Sequence, residues 1–187
     1  MRASETPQKM QPKAQLNSAV ASGRPKAQLN SAVASGQPKA QLKKTNKLSA
    51  YMNLEQIISD FEYIDEWEDR YRYVIDLGEK LEPYPDEFKT AETKVQGCVS
   101  QVWLTSEIKA AENLINFTGD SDAHIVRGLM AIVFAIFSNK SPEEILKIDV
   151  QSIFKTLGLN EHISPQRSNG LNAMVKRIQS DAQAAIG

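Results

Sequence analysis

The 187-residue sequence predicts an α+β fold for its larger part, residues 53–187. Apolar residues recur at helical spacing through most of this part, and only two neighbouring segments are rich in strand-forming residues. Helices and strands do not alternate one by one, as they would in a parallel α/β protein. The longest strongly apolar run, 128–137, is far shorter than the roughly 20 residues that cross a membrane. We therefore expect a soluble α+β domain.

Two amphipathic helices are predicted at the start of this domain. Asn53 can cap the first helix, and Gln56 stands three residues later, as a capping box requires. Apolar residues at the spacing of one buried face follow: Leu54, Ile57, Ile58 and Phe61. The second helix is predicted over 67–81 and ends before Pro83.

A β-hairpin is predicted to follow these helices. The segments 95–107 and 114–118 are rich in residues that favour strands. The more polar segment 108–113 suits the connection between them. Gly119 is expected to end the second strand.

The next helices carry recognisable start signals. One of three polar residues is expected to cap a helix over 122–138: Asp120, Ser121 or Asp122. That helix is apolar nearly all round, which indicates a central, buried position. A further helix should begin at Ser141, where Pro142 and two acidic residues fit the first turn.

The C-terminal part is predicted to contain two helices. A short one should span 151–157 and end at Gly158. The last helix should begin near Ser168 or Asn169. Its predicted core positions recur at helical spacing: Leu171, Met174, Val175 and Ile178.

The first 52 residues differ from this domain in charge and complexity. They contain nine Lys or Arg residues and one acid, which leaves a net charge of −9 for residues 53–187. The sequence PKAQLNSAVASG occurs at 12–23 and 25–36 and begins again at 38–42. Such polar sequence buries too little apolar surface to offset its ordering entropy, so a disordered basic arm is predicted.

The role of this arm is left open by its composition. A solvated tail is the favoured interpretation, with binding to nucleic acid or a membrane as the alternative. No aromatic residue precedes Tyr51 to stack on a base, and neither nucleic acid nor a membrane is an expected partner. The Ala and Ser content and the scarcity of acids are similar to those of a transit peptide, although Arg is sparse. Translation from Met52 is an alternative to the longer start.

The counts of cysteine and histidine limit the chemistry. A single Cys excludes an intramolecular disulfide and any all-cysteine zinc or iron–sulfur site within one chain. Two His residues make a His-rich metal centre an unfavourable interpretation. No P-loop or dinucleotide-binding glycine pattern is present, so no bound cofactor or metal is expected.

Cys98 is the one soft nucleophile of the chain. Gly97 lets the chain turn sharply just before it and bring the thiol to a strand end. A functional thiol needs access together with nearby positive charge or amide donors. The alternative is that Cys98 is simply a small buried apolar residue.

Arg167 and His162 are the residues that could assist Cys98. Arg167 lies just ahead of the predicted last helix, whose N-terminus favours anions, and could stabilise a thiolate or persulfide there. A surface ion pair is the alternative role for this arginine. His162 could act as the base of a Cys–His pair, but no carboxylate at a convincing spacing would orient it.

Three separated motifs together resemble the SufE family of sulfur-acceptor proteins, which act beside a cysteine desulfurase in iron–sulfur cluster assembly. The resemblance covers about residues 53–187. The motifs stand in the family's order: GCVSQVW at 97–103, GDSDA at 119–123 with IVRGL at 125–129, and SPQRSNGL at 164–171.

This resemblance implies a fold shared with the IscU scaffold, with helices packed on a small antiparallel sheet and the reactive Cys on a loop at its end. It implies that Cys98 accepts the sulfur and that Arg167 is the accompanying arginine. The implied partner is a SufS-type cysteine desulfurase, which holds the pyridoxal phosphate. The chain would then be an accessory sulfurtransferase, a persulfide carrier that stimulates the desulfurase and supplies a downstream cluster scaffold complex.

Two other functions remain as alternatives. The acidic domain could be a non-catalytic adaptor, or Cys98 and His162 could form a thiol hydrolase. A single free thiol suits a reducing compartment, so the cytoplasm is expected, or a plastid if the arm is a transit peptide. A homodimer is compatible with the sequence.

Overall fold

The computed structural model describes residues 53–187, and it confirms the α+β fold. The predicted disordered arm, residues 1–52, lies outside the described residues. The elements follow one another in this order: α1 (Leu54–Tyr63), α2 (Trp67–Glu79), a 3₁₀ turn (Asp86–Phe88), β1 (Val102–Lys109), β2 (Leu114–Ser121), α3 (His124–Phe137), α4 (Pro142–Lys147), α5 (Val150–Thr156), α6 (Leu159–His162) and α7 (Pro165–Ile186).

Helix α3 forms the centre of the core, as its apolar sequence predicts. Eleven of its 14 residues are buried, and they lie on all sides of the helix. α2 crosses α3 at a point where Gly78 meets Gly128. A Cβ atom on Gly128 would overlap the Val74 carbonyl oxygen. The two backbones therefore touch directly, which only glycine allows.

The two strands form one antiparallel sheet that packs on α3. The register runs from Val102 opposite Ser121 to Lys109 opposite Leu114. Gly119 was expected to end β2, but it lies inside the strand opposite Leu104. A side chain at Gly119 would overlap the backbone of the neighbouring strand, so this glycine provides close packing and does not break the strand.

The prediction for the first strand was wrong at both ends. β1 begins at Val102 and not at residue 95, and it continues to Lys109, which shortens the hairpin connection to 110–113. The segment 96–101 is a loop, because Gly97 adopts a positive φ of 88° and turns the chain away from the sheet. We call residues 96–101 the Cys98 loop.

The predicted helix starts are confirmed at two positions. The Asn53 side chain caps α1 by accepting from the Glu55 N–H at 2.9 Å. The Gln56 side chain makes no capping box and donates to Asp60. Ser141 and Glu144 form a reciprocal capping box at the start of α4.

Two helix starts differ from the predictions. Ala123 occupies the N-cap position of α3, and it provides no side-chain bond. α7 begins four to five residues earlier than expected, because Ser164 caps it and Pro165 occupies its first turn. The predicted core stripe of α7 is buried as expected: Leu171, Met174, Val175 and Ile178.

Candidate functional site

A cavity of about 280 Å³ opens between the Cys98 loop and two helices. The loop provides Cys98 and its two following residues, and α3 provides an apolar wall. The N-terminal half of α7 closes the other side. The lining residues are Cys98, Val99, Ser100, Val126, Leu129, Ser164, Gln166, Arg167, Gly170, Leu171 and Met174.

The Cys98 thiol is half-buried at one wall of this cavity. Its Sγ donates to the Gly170 carbonyl oxygen, with 3.6 Å between the two atoms. Burial raises the pKa of the Cys98 thiol above its ordinary value, so the thiol is protonated at neutral pH. The next residue, Val99, is 80% exposed. The thiol therefore faces inward while its neighbour on the chain faces solvent.

Backbone bonds hold both ends of the Cys98 loop. The Val95 N–H donates to the Val102 carbonyl at 2.8 Å across the base of the loop. On the C-terminal side, the Gln101 N–H donates to the Asp122 carboxylate at 3.0 Å. Sequence reasoning assigned Asp122 to helix capping, and the structure corrects this: its side chain anchors the loop that carries the thiol.

Arg167 lies inside the first turn of α7 and not ahead of the helix. Its guanidinium stacks over the Tyr71 ring at 5.7 Å. Among residues 53–187, no carboxylate forms an ion pair with this guanidinium. The positive charge therefore borders the cavity together with the thiol, without a neutralising partner in this part of the chain.

Asp120 was also assigned to helix capping, and this was wrong. Its carboxylate pairs with Lys89 at 3.0 Å and with Arg127 at 3.2 Å. Lys89 lies over the Trp103 ring at 5.5 Å. Asp120 therefore connects β2 to α3 and to the segment after the 3₁₀ turn, away from the lining of the cavity.

The structure does not bring His162 to Cys98. The imidazole stacks on the Trp67 ring with 4.3 Å between the ring centres. None of the cavity-lining residues is a histidine. The cavity as it stands therefore contains no base for a Cys–His pair.

Metal binding and membrane crossing find no support in the described part of the chain. Residues 53–187 contain no cluster of three or more His, Cys, Asp or Glu side chains that could hold a metal ion. No helix in the same range has the length and apolar character to cross a membrane.

Comparison with protein families matches residues 55–182 to SufE, the Fe-S metabolism associated domain. An uncharacterized SufE-like protein of Rhizobium meliloti (strain 1021) is 55% identical over 136 residues, covering 72% of this chain and 97% of the relative. An uncharacterized SufE-like protein of Rhizobium etli is 54% identical over 133 residues, covering 70% of this chain and 90% of the relative.

The fold also has a solved counterpart. The solution structure of a hypothetical protein from Thermus thermophilus matches with a TM-score of 0.58 and 20% sequence identity. The match covers 71% of this chain and 95% of that protein. At this identity the likeness concerns the fold alone, and the family match and the relatives carry the assignment. The chain belongs to the SufE family and is associated with iron–sulfur metabolism.

Proposed function

We propose that this protein is a sulfur acceptor, which takes a sulfur atom onto Cys98 from a cysteine desulfurase and delivers it to iron–sulfur cluster assembly. The observation that carries the proposal is the cavity that Cys98 shares with Arg167. It combines the single cysteine of the chain with a positive charge that has no ion-pair partner among residues 53–187. Membership of the SufE family supports the same conclusion.

The transfer is a thiol exchange in which no net oxidation occurs. The partner holds the sulfur as a persulfide on its own cysteine, formed with its pyridoxal phosphate. The Cys98 thiol loses its proton to solvent, and the thiolate attacks the outer sulfur of that persulfide. A new S–S bond forms at Cys98, the partner's S–S bond breaks, and the partner's cysteine leaves as a thiolate.

The resting structure favours a protected thiol over a reactive one. A half-buried, protonated Cys98 reacts slowly with oxidants and with other electrophiles, because the thiolate is the nucleophile. Attack on the partner's persulfide therefore requires the Cys98 loop to turn outward when the partner docks. The exposed Val99 is in position to meet the partner first.

The proposed compartment and partners follow from the chemistry of the free thiol. A free thiol that must stay reduced suits the cytoplasm, or a plastid if the arm is a transit peptide. The partners are a SufS-type desulfurase and a downstream cluster scaffold complex. A desulfurase activator of this kind is an accessory sulfurtransferase and needs no cofactor of its own.

Intact-protein mass spectrometry tests the proposal. Wild type and Cys98→Ser are incubated with a SufS-type desulfurase and L-cysteine. We expect the wild type to gain one sulfur atom that reductant removes, and the variant to gain none. Stimulation of the desulfurase without any mass gain would contradict the proposal and favour the adaptor. The absence of both gain and stimulation would also contradict it.

A further inference from the structure

Gly170 is in direct contact with the Cys98 thiol. It is buried within α7, and its carbonyl oxygen accepts the thiol hydrogen. A Cβ atom at this position would lie 3.3 Å from the Cys98 Sγ, tighter than ordinary contact. Glycine is unfavourable inside a helix, where alanine is preferred. The position therefore combines an unfavourable helix residue with a close contact to the reactive atom.

Sulfur loading removes the hydrogen bond that this contact provides. In a persulfide, Sγ is bonded to carbon and to the outer sulfur and carries no hydrogen. The outer sulfur is ionised at neutral pH, because persulfides are stronger acids than thiols. An anion beside the Gly170 carbonyl oxygen is repelled, since both carry negative charge. The loaded residue consequently cannot keep the resting contact.

We propose that Gly170 is a positioning residue that couples the position of the Cys98 loop to its sulfur load. Its carbonyl holds the empty thiol inward and releases the loop tip once the persulfide has formed. This inference rests on the proposed function, because it concerns the state of the loop after sulfur has reached Cys98. Loading itself, and not only the docking of a partner, then frees the loop tip from Gly170.

The surroundings determine where the released sulfur goes. Both ends of the loop stay fixed by the Val95–Val102 bond and by Asp122, so the movement is confined to the tip. Beside the tip lies the cavity, which is larger than one sulfur atom and is bordered by Arg167. The guanidinium attracts the persulfide anion that the Gly170 carbonyl repels.

Amide hydrogen exchange on the full chain tests this coupling without any desulfurase. The Cys98 thiolate first attacks dithiobis(nitrobenzoate), whose S–S bond breaks; one thionitrobenzoate leaves and a mixed disulfide remains at Cys98. Hydrosulfide then attacks Sγ, thionitrobenzoate leaves, and the Cys98 persulfide remains. We expect the amides of 97–100 to exchange roughly threefold faster in the persulfide than in the thiol form, the size expected for one lost hydrogen bond. Amides in α3 serve as an unchanged reference.

Two substitutions of Cys98 show whether faster exchange comes from the lost hydrogen bond or from the bulk of the added sulfur. Cys98→Ser keeps a hydroxyl that can donate to Gly170, so its loop should exchange as slowly as the thiol form. Cys98→Ala removes the donor and adds no atom, so its loop should exchange as fast as the persulfide form. Equal rates in these two variants would overturn the proposal.

Substitution of the glycine tests the residue itself. Gly170→Ala keeps the carbonyl but places a Cβ atom 3.3 Å from Sγ, which should push the thiol away from the carbonyl oxygen. Exchange at 97–100 should then be faster in the thiol form, and the difference between thiol and persulfide should be smaller. Lys176→Ala, an exposed position of the same helix, should retain that difference. A wild-type loop that exchanges equally in both forms would overturn the inference. Chemical loading keeps this result separate from the proposed function, which fails only if a desulfurase cannot load Cys98.

Discussion

The residues of helix α3, at the centre of the core, are held by many more contacts than those of the Cys98 loop. In α3, eleven of 14 residues are buried, and the backbone touches α2 directly at Gly128. In the loop, Val99 is 80% exposed and the thiol rests on one weak hydrogen bond. The rigid region positions the cavity wall, and the weakly held region carries the nucleophile. The motion that the proposed transfer needs is thus confined to a segment whose loss of contacts costs the fold little.

The same substitution made in both regions measures this difference. Gly128→Ala forces a side chain into the Val74 carbonyl, and we expect it to lower the free energy of unfolding by about 3 kcal/mol. Gly97→Ala has space, since its Cβ would lie 3.7 Å from Ala173, and strains only the positive φ, at about 1 kcal/mol. Urea unfolding followed by circular dichroism gives both values. Equal losses of unfolding free energy in the two variants would contradict the difference between core and loop.

Local signals predicted most of the rigid region. The apolar spacing of α3 and α7 predicted their buried residues, and the Ser141 signal placed α4 correctly. In α1 the predicted face is buried at Ile57 and Phe61 and only partly buried at Leu54 and Ile58. The prediction for Gly119 was wrong, because its close contact is with the backbone of Trp103, 16 residues away in sequence. Contacts of this kind depend on the assembled fold and leave no local pattern.

The site was predicted less completely. Thiol chemistry and the family resemblance predict Cys98 and Arg167 as site residues, and both line one cavity. The roles of Asp122 and Gly170 were missed, since each acts on the loop from a distant part of the chain. A glycine inside a helical pattern was the available signal for Gly170, because such a residue often marks a close approach.

The charge beside the loop is expected to have the largest effect on transfer after Cys98 itself. Arg167→Gln removes the guanidinium that would stabilise the sulfur anion and that pairs with no carboxylate of residues 53–187. We expect the transfer rate to fall about tenfold. Arg72→Gln is the matched control, because Arg72 is exposed and its ion pair within residues 53–187 is with Asp69. Rates come from single-turnover sulfur transfer. Equal rates for the two variants would show that Arg167 is a structural residue.

The pH dependence of alkylation reports how far the loop protects the thiol. Burial raises the pKa of Cys98, and the thiolate is the reacting form. Below the folded pKa, the folded protein should therefore react with iodoacetamide more slowly than the chain unfolded in urea, and the difference should close as pH rises past it. Cys98 is the only cysteine, so alkylation reports on it alone. A folded midpoint at or below the unfolded one would refute this protection.

Asp122 and Asp149 each accept one backbone hydrogen bond, so replacing them in turn distinguishes an effect on the Cys98 loop from an effect on overall stability. Asp122 accepts from the Gln101 N–H, and Asp149 accepts from the Ser152 N–H at the start of α5. Asp122→Ala and Asp149→Ala should each lower the free energy of unfolding by about 1 kcal/mol. Only Asp122→Ala should speed alkylation of Cys98, roughly threefold, because it frees one end of the loop. Similar alkylation rates in the two variants would show that the Asp122 hydrogen bond does not restrain the Cys98 loop.

The smallest effect on transfer is expected from His162. Its imidazole is exposed and stacks on Trp67, and it does not line the Cys98 cavity. We expect His162→Ala to lower the free energy of unfolding by about 0.5 kcal/mol through the lost stacking. Sulfur transfer at 25 °C should stay at the wild-type rate, measured beside Arg167→Gln. A thiol hydrolase would instead need the imidazole as its base, so a large loss of activity in this variant would restore that alternative.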